Sequence, residues 1–104
     1  MRIQITKDHN FEAAYIELSS RPVAHSIELG ADTIVDLDGL NCVVGIEILA
    51  LGRLPKFDDL DRLAHVLEND RPKIQLALRH LSRMRATSSS LTEESRIVVD
   101  GIPA

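Results

Sequence analysis

The chain has 104 residues, of which 44% are hydrophobic and 27% are charged, a balance that indicates one folded domain and excludes a disordered polypeptide. Its three aromatic residues and its net charge of -4 argue against a surface that stacks single-stranded nucleic acid. The single cysteine, Cys42, excludes a disulfide within the chain. No apolar run approaches the roughly 20 residues that cross a bilayer, and the N-terminus lacks the apolar stretch of a signal peptide, so we expect a cytoplasmic protein.

The first half of the sequence alternates between apolar and polar side chains, as half-buried β-strands do. Strands are predicted at residues 2–6, 14–18 and 23–29, and two more in a hairpin at residues 33–49. The short turns between them predict an antiparallel five-strand meander with one apolar face and one acidic face.

The hairpin at residues 33–49 turns at Asp38–Asn41. Alternation places five of its aliphatic side chains on the apolar face, where helices are expected to cover them: Val35, Leu37, Val44, Ile46 and Ile48. On the same basis Asp36, Asp38 and Glu47 are predicted to face water or a basic partner.

The second half repeats its apolar residues at steps of three and four, which is typical of amphipathic helices. One helix is predicted at residues 57–67 and another at residues 72–85, whose apolar stripe comprises Ile74, Ala77, Leu78, Leu81 and Met84. The predicted fold is a single α+β domain in which the meander, residues 1–50, is packed on one face by a C-terminal helical hairpin, residues 56–85. Residues 86–104 form a polar spacer followed by either an edge strand or a loose tail.

Three blocks in the first half carry a family resemblance: Asp8 followed by AAYIELS, then PVAHSIEL, then TIVDLD with VVGIEIL. Over about residues 1–50 they resemble the bacterial domain-of-unknown-function family numbered 2283, which implies a small β-rich module whose activity is not established. Two features depart from that pattern, because His9 and Asn10 stand where Pro-Glu is usual and Asn41 replaces a glycine. Asparagine tolerates a positive φ better than most residues, so we expect the hairpin to keep its turn.

The resemblance covers only the sheet, whose apolar face must be buried. It is covered either by the chain's own helices or by those of a second copy. Shorter relatives that lack helices would have to pair through this face, and we therefore expect a homodimer.

Five carboxylates fall on one side of the predicted sheet and form a candidate partner-binding acidic face: Glu17, Glu28, Asp36, Asp38 and Glu47. Converging carboxylate oxygens can bind a divalent cation. A solvated sheet face also carries charge at alternate positions, and this interpretation is favoured because acids spread over four strands need not converge. Charges of one sign still attract a basic partner.

The sequence predicts neither a catalytic residue nor a metal or cofactor site. The four histidines, His9, His25, His65 and His80, lack the spacing of metal ligands. Cys42 has no neighbouring histidine or lysine and is interpreted as a small packed residue. No glycine-rich phosphate loop, G-x-S-x-G or H-E-x-x-H motif occurs, and we expect a protein that is not an enzyme.

Charge is distributed unevenly along the chain. Residues 1–70 hold six Lys or Arg and thirteen Asp or Glu, whereas residues 71–104 hold six and three. The second predicted helix carries basic residues and no acid: Arg71, Lys73, Arg79, Arg83 and Arg85. A basic second helix in a helical hairpin is the outline of a helix-turn-helix reader of DNA, but a cover helix with cations near its C-terminus gives the same pattern.

Two functions follow from these features. The first is a non-catalytic protein-interaction module, such as the acidic partner that neutralises a small basic toxin. The alternative is a nucleic-acid-binding protein that uses Arg79 and Arg83, which the acidic net charge makes less favourable.

Overall fold

A six-stranded antiparallel sheet forms the framework of the protein. The computed structural model describes residues 1–8, 11–87 and 95–100. The strands are β1 (Arg2–Asp8), β2 (Phe11–Glu17), β3 (His25–Leu29), β4 (Thr33–Leu37), β5 (Val43–Ile48) and β6 (Ser95–Asp100). Their order is β3-β4-β5-β2-β1-β6, and every neighbouring pair is antiparallel. The five predicted strands are confirmed, and the last segment of the chain supplies a sixth strand at the edge beside β1.

The order of the strands differs from that of a continuous meander, because β5 lies between β4 and β2. The connection from β2 to β3 explains this order. Its first residue, Leu18, donates its amide to the Val44 carbonyl at 2.9 Å, and its last, Ala24, donates to the Leu37 carbonyl at 2.8 Å. The chain thus passes the end of β5 and returns along β4, so that the hairpin of β4 and β5 lies inside the sheet.

A β-bulge in β5 changes which of its side chains face the core. Leu37 pairs with Val43 and Asp36 pairs with Gly45, so Val44 is an extra residue on β5. Simple alternation, which puts Val44, Ile46 and Ile48 on the apolar face, also puts Val43 on the opposite face. That assignment of Val43 is wrong, because Val43 is 1% exposed and belongs to the main core cluster. Val44 is buried, at 2% exposure, but lies outside that cluster.

Two helices follow the sheet, α1 (Phe57–Leu63) and α2 (Arg71–Thr87), with a short 3-10 turn at Glu68–Asp70 between them. The first helix was predicted to reach Leu67 but ends at Leu63. After Leu63 the backbone lies against the sheet. The His65 carbonyl accepts the Val43 amide at 2.9 Å, and His65 forms an isolated β-bridge with Cys42. The predicted helical hairpin is therefore only partly present, as a short helix, an extended corner and a long helix.

The stripe of α2 that faces the sheet matches the prediction. Ile74, Ala77 and Leu81 are each 0% exposed and share one core cluster with the strand residues Ile3 and Ile46. Leu78 and Met84 pack against the same cluster. The chain's own helix therefore covers its own sheet, and the apolar face does not need a second copy to bury it.

None of the described helices is long and apolar enough to span a bilayer. The cytoplasmic location expected from the sequence stays a prediction.

Candidate functional site: the open face of the sheet

The face of the sheet that points away from the helices is the candidate site, and we call it the open face. Alternation along each strand places there the residues between those that enter the core: Arg2, Gln4 and Thr6 of β1, Ala13, Tyr15 and Glu17 of β2, Gly45 and Glu47 of β5, Ile34 and Asp36 of β4, and Ser26 and Glu28 of β3. Apart from Gly45, all of these are exposed or half-buried. A shallow depression of about 200 Å³ opens beside Tyr15 and Glu47.

Four of the five predicted acids lie on the open face. Glu17 and Glu28 are exposed, whereas Asp36 and Glu47 are half-buried. Glu47 is the cross-strand partner of Tyr15, and Glu17 follows Tyr15 by two positions on the same face of β2. Three carboxylates, those of Glu17, Asp36 and Glu47, thus surround one phenol.

Tyr15 spans β5 to reach a carboxylate on β4. Its hydroxyl donates to Asp36 Oδ2 at 2.7 Å, and its ring lies directly over Gly45. A Cβ built on Gly45 would overlap the Tyr15 hydroxyl and lie 2.6 Å from Cζ. Glycine is therefore required at position 45 by the close approach of the ring, a known use of glycine inside a strand.

Asp36 also accepts a hydrogen bond from a second hydroxyl group. Ser26 on β3 donates from Oγ to Asp36 Oδ1 at 2.6 Å, so each carboxylate oxygen accepts one hydrogen bond. We call Tyr15, Gly45, Asp36 and Ser26 the cross-strand row, because they form a continuous line over β2, β5, β4 and β3. Hydrogen bonds to a charged acceptor are among the stronger ones in proteins, so the row holds Asp36 in a fixed position.

Tyr15 acts in this row as a hydrogen-bond donor and not as a base. Burial raises the pKa of Tyr15 well above its usual value, and the hydrogen bond to Asp36 and the negative charges of Asp36, Glu17 and Glu47 raise it further. The phenol therefore keeps its proton throughout the physiological pH range. Such a group suits recognition better than nucleophilic catalysis.

Asp38, the fifth predicted acid, lies elsewhere and is 8% exposed. Its Oδ1 accepts the amides of Leu40 at 2.9 Å and Cys42 at 3.0 Å, and its Oδ2 accepts Nε of Arg21 at 2.9 Å. Alternation failed here because Asp38 begins the turn between β4 and β5, where its side chain satisfies turn amides. Asn41 in this turn has φ 63°, which confirms the expectation that asparagine would replace glycine there.

We predict that Asp38 makes the stability of the protein sensitive to acid. The amides of Cys42 and Leu40, together with Arg21, hold the pKa of Asp38 below its usual value. A lowered folded-state pKa stabilises the protein fully above the unfolded value of about 3.9, and this stabilisation is lost as the pH falls through the folded value. Asp38→Asn should therefore be less stable than the wild type at neutral pH, and the two should converge as the pH falls through the lowered folded-state pKa of Asp38.

Urea unfolding at a series of pH values checks this prediction. Glu68→Gln, a change at an exposed carboxylate in the turn before α2, serves as the control and should leave the pH dependence of the wild type in place. A difference between the wild type and Asp38→Asn that stays constant from neutral to acid pH would contradict the role given to the carboxylate.

The basic helix predicted from the sequence is partly neutralised within the chain. Arg71 donates from Nη1 to Asp61 Oδ1 at 2.6 Å and lies over the Phe57 ring, 5.1 Å from its centroid. Lys73 Nζ is 3.5 Å from Asp70 Oδ1. Arg79 and Arg83 are exposed on α2, and Arg85 lies outside the described side chains. Both cations in the first turn of α2, Arg71 and Lys73, thus form ion pairs with the segment that precedes the helix.

The three described histidines do not form a cluster of metal ligands. His25 is exposed on β3 and His65 is exposed after α1, whereas His80 is half-buried on α2 with an Nε2 that lacks a hydrogen-bond partner; His9 lies outside the described residues. Cys42 is a buried free cysteine, as the sequence indicated. Within the described part of the chain, no three His, Cys, Asp or Glu side chains are placed to hold a metal ion.

Sequence reasoning missed the cross-strand row. Alternation in residues 14–18 puts Tyr15 on the polar face, opposite Ala14 and Ile16, but it names no partner on another strand because it does not show which strand lies beside β2. The available signal was Gly45, a glycine inside an otherwise β-branched strand, which often marks a close approach of another group.

The fold and the open face define a small α+β protein in which helices cover one face of the sheet and no described helix covers the other. Residues 5–51 match the model of a family described as Protein of unknown function (DUF2283), which confirms the resemblance noted in the sequence. The matched segment includes β2 to β5 in full and therefore the whole cross-strand row, whereas both helices lie outside it. No curated protein and no solved structure shows a significant match to the chain.

Proposed function

We propose that the protein is a non-catalytic protein-interaction module that binds a basic protein on its open face. The observation that carries this proposal is the cross-strand row, which fixes Tyr15 and Asp36 on a sheet face that the helices leave uncovered. Side chains already held in one conformation lose little entropy on binding, which favours recognition.

The charges around the row set the chemistry of the partner. Glu17, Glu28 and Glu47 accompany Asp36 on the open face, whereas the exposed arginines Arg79 and Arg83 belong to the helix on the opposite side of the sheet. Among the described side chains that the strands place on the open face, these four carboxylates outnumber the one cation, Arg2, and this balance attracts a basic molecule. A small basic protein, such as a toxin that an acidic partner neutralises, fits this surface.

The expected binding depends on salt and on two carboxylates. In titration calorimetry against the small basic proteins encoded beside its gene, we expect one partner whose affinity falls as salt rises. The double variant Glu17→Gln/Glu47→Gln should bind that partner at least about tenfold more weakly, since charged contacts across an interface contribute on the order of 1 kcal/mol or more each.

Asp58→Asn/Glu68→Gln is the matched control for this experiment, because it removes the same two charges. Asp58 and Glu68 are exposed, but they lie in α1 and in the turn before α2, so their replacement should leave binding unchanged. Equal losses in the two variants would show that net charge matters and the open face does not. Absence of binding to every such protein would remove the support for this function.

A nucleic-acid-binding function is the alternative. It is favoured by one observation, that Arg79 and Arg83 are exposed one helical turn apart on α2. Phosphate attraction is strongest at low salt, so a titration against duplex DNA under that condition tests it. A flat titration, or one that Arg79→Ala/Arg83→Ala does not alter, rules out this use of α2.

A further inference from the structure

The strand β3 forms an edge of the sheet. It pairs with β4 on one side, and no described strand lies on its other side. An open edge offers unpaired backbone amides and carbonyls to another chain, and natural proteins often blunt it with charged side chains, proline or a bulge. The strand β3, His25–Leu29, contains no proline, its pairing with β4 has no register shift, and Glu28 is its one acidic or basic residue other than His25.

Apolar side chains are exposed beside this edge. Val23, two residues before β3, is 50% exposed, and Leu63, at the end of α1, is 38% exposed; α1 contacts β3. Ile27 and Leu29 are half-buried and pack against the core from the edge strand. An open edge with exposed apolar side chains nearby has the features of a surface that another strand covers.

We propose that this strand is a second copy of β3, so that two chains pair antiparallel about a two-fold axis at Ile27. In this register Ile27 lies opposite the same residue of the second copy, Ser26 lies opposite Glu28, and His25 lies opposite Leu29. Residues directly opposite one another point to the same face, so the half-buried Ile27 side chains of the two copies meet. A register centred on Glu28 is disfavoured because it sets two carboxylates against each other.

The symmetry has consequences for both faces of the sheet. The axis is perpendicular to the sheet, so the helices of both copies lie on one side and the two open faces join on the other. The six-stranded sheets become one continuous sheet, and the partner-facing surface is doubled. The pairing does not depend on whether the open face binds a basic protein.

Light scattering on the full chain tests the pairing. We expect a mass twice that of the 11.5 kDa chain, with dissociation on dilution. Ser26→Glu places an acid opposite Glu28 twice in each dimer, and this should raise the dissociation constant about tenfold. The variant also loses the hydrogen bond of Ser26 to Asp36 within the chain, so Ser26→Ala, which loses that bond without adding a charge, is its control and should keep the dimer. Adding Glu28→Lys to Ser26→Glu makes both contacts attractive and should restore the dimer. Gln75→Glu adds the same charge on an exposed site of α2 and should have no effect.

A cross-link locates the axis independently of these charges. In a Cys42→Ala background, Ile27→Cys should form a disulfide-linked dimer on mild oxidation, because directly opposite positions are close enough for the bond. Leu40→Cys, at an exposed apolar residue in the turn after β4, should not. A monomer at all concentrations, a dimer unaffected by Ser26→Glu, or cross-linking at position 40 in preference to position 27 would overturn the proposal.

Discussion

Ile74→Asp is expected to leave the protein mostly unfolded at room temperature. Ile74 is 0% exposed and lies in the cluster that joins α2 to the sheet. Losing a buried isoleucine costs about 2–5 kcal/mol, and burying an unpaired carboxylate costs several kcal/mol more. The sum is comparable with the whole stability of a typical domain, about 5–15 kcal/mol.

Circular dichroism and urea unfolding measure this loss. Gln75→Asp is the matched control, because it introduces the same residue at the next position of the same helix, where the side chain is exposed. It should change stability by no more than about 0.5 kcal/mol. If Ile74→Asp were as stable as Gln75→Asp, α2 would not cover the sheet of its own chain.

Gly45→Val is expected to lower the free energy of unfolding by about 2 kcal/mol, the usual range for a side chain forced into occupied space being roughly 1–3 kcal/mol. The new side chain takes the position of the Tyr15 ring, so the tyrosine must move away from Asp36 and give up its hydrogen bond. Valine is otherwise favourable in a strand, and the backbone at Gly45 has no positive φ. The penalty therefore comes from Tyr15 alone.

A double-mutant cycle isolates that cause. In a Tyr15→Ala background, Gly45→Val should cost almost nothing or stabilise the protein, because the displaced ring is absent. Gly39→Ala, at a glycine with open space around its missing Cβ, is the control and should be nearly neutral. An equal penalty for Gly45→Val with and without Tyr15 would contradict the packing of the ring over Gly45.

Much of the fold follows from the periodicity of the sequence. Alternation located the five N-terminal strands and assigned residues such as Ile16 and Ile46 to the buried face, because burial of one sheet face forces a period of two. A period near 3.6 located the apolar stripe of α2 for the same reason. These features depend on local pattern alone.

The features that could not be predicted depend on which strands are neighbours. Alternation does not reveal that β5 lies between β4 and β2, because the alternating pattern of a strand is the same whichever strands it pairs with. The bulge at Val44 reversed the face of Val43, and the early end of α1 at Leu63 follows from the hydrogen bond between His65 and Val43. Each of these tertiary contacts overrides a local preference.

The candidate site was likewise only partly predictable from the sequence. The acids Glu17, Glu28, Asp36 and Glu47 could be assigned to one face from alternation. The cross-strand row could not, since it requires Tyr15 and Asp36 to lie on either side of Gly45. Asp38 was misplaced because turn amides and Arg21 determine where its carboxylate points.

Nuclear magnetic resonance mapping of the bound partner is the most direct test of the open face as a binding surface. The backbone amides of the labelled protein are followed while the small basic protein identified by calorimetry is added. We expect the largest shifts in β2, β4 and β5, around Tyr15, Asp36 and Glu47, with little change in α2. Shifts confined to α2 around Arg79 and Arg83, with the amides of β2 and β5 unmoved, would contradict the assignment.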